Sequence, residues 1–178
     1  KPNRPVTPHN IPFVFIGAAL LWLGWFGFNA GSGLAADGLA SRAFLVTHIA
    51  TATALVTWII IDWTRNKRPT IVGASTAAVA GLVAITPAAG TAGIFGAMAI
   101  GFASAFICFF MVAVVKEKLG YDDSLDAFGV HGIGGIIGSI LTGVFIVPDG
   151  LTGIGLADSF GGWEQIGIQT IATVFTIA

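Results

Sequence analysis

The stretch DAFGVHGIGGIIGSILTG, residues 126–143, sets one imidazole, His131, in a run that is otherwise glycine and aliphatic apart from Asp126, Phe128 and two hydroxyls. Extended to 124–147, it is long and apolar enough to cross a bilayer once, which takes about 20 residues. The rest of the chain has the same character. Of 178 residues, 55% are hydrophobic and 10% charged, and the mean hydropathy is +0.89. That is too little polar surface to cover a water-soluble globule of this size, so the chain reads as an all-α membrane protein.

Working outward from 126–143, apolar runs place further spans at about 11–33, 43–63, 70–88 and 93–116, and a sixth begins near 163. Pro12 and Pro69 sit at helix starts, where a missing N–H costs little. Ser124 and Asp126 are expected to cap the fifth span, and TPAAG at 86–90 reads as a tight turn. KPNRPVTPHN is polar and proline-rich with no signal-peptide pattern, and the apolar run IGIQTIATVFTIA continues to the last residue. The expectation is a segment, 1–178, cut from a longer polypeptide at both ends.

Alternating spans put Lys1, Arg4, Arg65, Lys67, Arg68, Lys116 and Lys118 on one side and Arg42 alone on the other. By the positive-inside rule the N-terminus of the segment is cytoplasmic, with loops 34–42, 86–92 and 148–162 facing outward. A net charge of −1 with no basic face sets nucleic-acid binding aside. The single cysteine, Cys108, has no intrachain partner and reads as packing. Small residues recur at helical spacing in Gly27/Gly31, Gly134/Gly138 and Gly135/Ser139/Gly143, the pattern that lets helices approach closely in lipid. A re-entrant or broken helix is the alternative use of so much glycine.

An ionisable group inside a span is a functional candidate by default, and His131 is placed about two turns into its helix, roughly 10 Å at 1.5 Å per residue. Gly129 and Gly132 are read as clearing space beside it. A neutral imidazole offers one donor and one acceptor to a small polar solute without presenting charge. The plain alternative is a histidine satisfied by a neighbouring helix carbonyl. GIGGIIG at 132–138 loosely matches a dinucleotide fingerprint, but it lies within an apolar helix and lacks the downstream acid, so that reading is rejected.

In GWFGFNAGS, 24–32, Trp25, Phe28 and Ser32 share one helical stripe near the outward end of the first span. Aromatic faces with a hydroxyl suit recruitment of a small cation. The alternative is the interfacial aromatic belt, to which Trp22, Trp58, Trp63 and Trp163 are assigned. Asp126 either caps its helix or relays protons. His48 and His9 complete no ligand set with His131, so a metal hydrolase is not expected, and no clustered nucleophile or base suggests an enzyme.

GWFGFNAGS, GLVAITPAAG at 81–90 and DAFGVHGIGGIIGSILTG, in this order, closely resemble the ammonium transporter (Amt/Rh) family over essentially the whole chain. The resemblance implies the second half of an inverted-repeat fold of about eleven helices, here a bundle of about six, assembled as a homotrimer in the lipid bilayer. It implies that Trp25 and Ser32 match the outer ammonium-recruitment site and Phe28 one of two stacked phenyl gates. His131 matches the second of two paired pore histidines, and Asp126 the acid near the inner mouth. It further implies transport of ammonium or ammonia, with methylammonium a possible substrate, through a hydrophobic pore of the cell membrane. No cofactor is expected, and a PII-type signal protein is the expected cytoplasmic regulator. The alternative from another class is an ammonium sensor module of a signalling protein. A water or glycerol channel is disfavoured because no NPA-type motif is present.

Overall fold

A computed structural model of the chain describes residues 8–147 and 162–177. Asn10 opens α1 (Ile11–Gly31) by accepting the Phe13 N–H at 3.0 Å, and Pro12 sits in the first turn. Asp37 opens α2 (Gly38–Asn66) by accepting the N–H groups of Leu39 and Ala40 on one oxygen, each at 3.0 Å. This cap and a left-handed Lys67 at the far end make α2 29 residues long, well beyond the span expected from its apolar stretch. Thr70 caps α3 (Ile71–Ala88), whose last turn, Thr86–Ala88, tightens to a 3-10 helix within TPAAG.

The fourth helix, α4 (Ile94–Leu119), passes through a π-wound turn at Met111–Val115. The fifth, α5 (Phe128–Phe145), begins with a second π-wound turn, Phe128–Gly132. The sixth, α6 (Trp163–Ile177), has 15 residues, fewer than the five preceding spans, and starts where expected. The loop 148–162 falls almost entirely outside the described residues. Among the described residues there is no strand, only an isolated antiparallel bridge between Ala92 and Ile146, so the chain is an all-helical bundle.

Helix α2 packs on α3 and α4, and α3 lies between α1 on one side and α5 on the other, with α6 against α5. The core between them is mostly alanine, with Leu82, Ile85 and Ile100 as its largest fully buried aliphatics. Close approach replaces bulky burial, as expected where lipid removes the hydrophobic drive between helices. A Cβ on Gly138 would lie 2.2 Å from the Ala84 carbonyl oxygen, and one on Gly101 2.3 Å from that of Ala50. Gly134 and Gly143 likewise face α3 and α6. Gly27, Gly31 and Gly135 meet nothing within 4 Å among the described residues, so the small-residue face expected on α1 makes no helix contact here. Gly81 and Gly101 both close on the backbone of α2 at Ala50, and local spacing does not say which helix stands opposite them.

Candidate functional site

Asn29 is buried on α1 and donates to Thr47 Oγ1 of α2 at 2.9 Å, which pins the C-terminal end of α1 to the bundle. With Asn29 turned inward, helical geometry carries Trp25, Phe28 and Ser32 to one flank of the buried stripe. The Trp25 indole N–H donates to Thr86 Oγ1 across to α3 at 2.7 Å. Its ring meets Phe28 at a centroid distance of 5.6 Å with the planes inclined at 52°. Phe28 itself is 60% exposed. Ser32, the residue that ends α1, donates its hydroxyl proton to the Phe28 carbonyl at 2.5 Å. With that proton committed, the exposed Ser32 oxygen can only accept further hydrogen bonds.

Phe28 forms part of the wall of two grooves. One, of about 500 Å³, is lined by Gly17, Leu20, Leu21, Gly24 and Trp25 and is almost wholly apolar. The other, of about 220 Å³, takes in Ser32, Asn29 and Thr86 and is the more polar. A single phenyl ring therefore borders both a recess with polar walls and an open apolar groove along one face of α1.

His131 is exposed on α5, and no described residue hydrogen-bonds its side chain. Two expectations about its surroundings need correction. Because α5 begins at Phe128, His131 lies in the first turn and not about two turns in. The neighbouring glycines also serve other groups. A Cβ on Gly132 would meet the Phe128 ring at 2.9 Å, since positions i and i+4 share a face, and one on Gly129 would meet Val112 of α4 at 2.9 Å. Gly129 lets α5 close on α4, and Gly132 lets Phe128 fold back along its own helix.

Asp126 does not supply the side-chain cap. Its backbone is left-handed, at φ 55°, and its carboxylate pairs with Lys116. The capping carboxylate is that of Asp123, which accepts the Gly129 N–H at 3.1 Å, while Ser124 donates to Asp122. Three acids lie within five residues, at 122, 123 and 126, so sequence alone could not choose among them. Tyr121 packs edge-on against Phe128 at 5.9 Å, its hydroxyl shielded and without a hydrogen-bond partner among the described residues. That shielding raises its phenol pKa, as do Asp123 and Asp126, against the opposing charge of Lys116.

The aromatic belt also needs revision. Trp58 is 3% exposed and packs edge-on against Phe109 at 5.1 Å, so it is core. Trp22 packs against His48 at 5.3 Å between α1 and α2, the ring planes inclined at 35°. Trp63 and Trp163 are exposed near helix ends, as a belt requires. Trp25, Phe28 and Ser32 are thus brought together, whereas His131 stands on α5 and Asp126 in the loop before it, with α3 between. Asn29, Thr47 and Thr86 were missed as supports, although each is a polar side chain inside an apolar span.

The model of the Ammonium Transporter Family matches residues 1–178. The chain belongs to the ammonium transporter family. It is 48% identical to an ammonium transporter of Aquifex aeolicus over 179 residues, which is 99% of this chain and 41% of that protein. With an ammonium transporter of Bacillus subtilis the identity is 48% over 93% of this chain and 42% of the relative. The chain therefore spans about two-fifths of the length of these curated relatives. The crystal structure of Mep2 from Saccharomyces cerevisiae superposes with a TM-score of 0.84 at 37% identity, over 95% of this chain and 41% of that one. A structure named Sensor Amt Protein superposes with a TM-score of 0.83 at 33% identity, over 94% and 40%. The fold is that of the ammonium transporters, a family of transporters and not of enzymes, and the chain is a multi-pass membrane protein.

Proposed function

We propose that this chain supplies one half of a transmembrane path for ammonium and ammonia. Moving an ion of that size from water into a low-dielectric medium has an idealised cost of about 20 kcal/mol, whereas neutral ammonia avoids most of it. Ammonium is recruited by the ring of Trp25 and the lone pairs of Ser32. Below the Phe28 gate ammonium transfers its proton to a water molecule, giving hydronium and ammonia, and ammonia then crosses the apolar stretch hydrogen-bonded to His131. Asp126 marks the inner mouth. The observation that carries this reading is that Phe28 lines both a recess with polar walls and an adjoining apolar groove.

Residues 1–178 form the second half of the transporter domain, within a homotrimer in the cell membrane and with the N-terminus of the segment cytoplasmic. A PII-type protein is the regulator sought on the inner face, and methylammonium the analogue substrate. The exposure of Phe28 and His131 supports a path completed by the remainder of a longer transporter. A sensor role is the second reading, supported by the likeness to the structure named Sensor Amt Protein.

The test uses full-length protein in liposomes. His131→Ala is expected to reduce ammonium flux or its selectivity, and undiminished selective flux removes His131 from the mechanism. Trp25→Leu combined with Ser32→Ala is expected to raise the half-saturating ammonium concentration. An unchanged concentration dependence returns those residues to the lipid belt.

A further inference from the structure

The α4–α5 loop is crossed by the one ion pair among the described residues, Lys116 with Asp126. The same ammonium group donates to the Asp123 carbonyl at 3.0 Å, so Lys116 holds both ends of the segment 123–126. Asp123 in turn accepts the Gly129 N–H, and the Asp126 carbonyl accepts the Val130 N–H at 2.9 Å. These contacts bracket the π-wound turn Phe128–Gly132, which carries His131. Lys116 follows directly on the other π-wound turn, Met111–Val115, whose Val112 presses against Gly129.

A π-wound turn takes up one residue more than an α-turn and so changes the direction of every side chain it carries. Like the left-handed backbone of Asp126, it persists only where its surroundings over-determine it. We propose that Lys116 and Asp126 are a positioning pair for the pore imidazole, holding the π-wound turn that aims His131 at the transport path. This rests on the reading of His131 as a path residue. Both side chains are about one-quarter exposed, so the pair is partly shielded at the end of the bundle.

The experiment compares full-length Lys116→Met, Asp126→Asn and the conservative Lys116→Arg in liposomes, normalised to correctly assembled protein. Maximal ammonium flux is expected to fall roughly tenfold or more in the two neutralised variants, the scale of a misplaced reacting group. The half-saturating concentration, set at the outer site, stays within about twofold because ground-state recruitment is untouched. Lys116→Arg retains most of the flux. The deciding comparison is made on a His131→Ala background, where Asp126→Asn is expected to add no further loss because it acts through the absent ring. Full maximal flux in Lys116→Met and Asp126→Asn overturns the proposal, as does a loss that multiplies with that of His131→Ala. If His131→Ala alone leaves selective flux intact, the reading of the path fails first, and this proposal falls with it.

Discussion

Replacing Gly138 by alanine tests the packing on which the placement of α5 depends. The added methyl would stand 2.2 Å from the Ala84 carbonyl oxygen and 2.8 Å from its Cα, while ordinary contact begins near 3.4 Å. The backbones of α3 and α5 must therefore separate by about 1 Å, because neither obstructing atom belongs to a side chain that can turn away. Overpacking of this kind costs about 1–3 kcal/mol, and the rigid obstruction puts Gly138 at the upper end. Alanine regains about 1 kcal/mol of helix propensity over glycine. The expected net loss is about 2 kcal/mol, read as a lower thermal unfolding midpoint of the full-length protein in detergent. Ala84→Gly added to Gly138→Ala is expected to rescue nothing, since the obstruction is backbone. An unchanged or raised midpoint for Gly138→Ala would refute the close approach.

Thr86→Val removes the acceptor of the Trp25 indole and is expected to cost about 1 kcal/mol, with Thr86→Ser retaining the bond. Indole fluorescence and thermal unfolding report both variants, and equal behaviour of valine and serine would contradict the bond. Asp123→Ala is expected to cost about 1 kcal/mol by freeing the Gly129 N–H, whereas Asp123→Asn keeps an acceptor. Hydrogen exchange at the Gly129 amide is the direct measurement, and no acceleration in Asp123→Ala would exclude this cap.

Span positions were legible from apolar length, and α3 and α6 begin within a residue of expectation because Thr70 and the run after 163 mark them locally. The length of α2 was not, since its first residues are ordinary in hydropathy and their helicity comes from the Asp37 cap. The stripe Trp25, Phe28, Ser32 followed from helical periodicity alone. The use of their hydrogen bonds did not, because the Trp25 partner lies on a helix 61 residues away. The same limit explains Trp58. Its position near a helix end fits a belt, and only its contact with Phe109 makes it core.

By itself the sequence determined what a helix can settle alone: that the chain must cross a membrane, where it crosses, and which face of α1 carries the aromatic and hydroxyl groups. The tertiary structure decided which glycines touch a neighbour, which of three acids caps α5, and that the first turn of α5 is π-wound and tied to Lys116. Those outcomes depend on contacts between residues distant in the chain, and local spacing carries no information about the helix that will stand opposite.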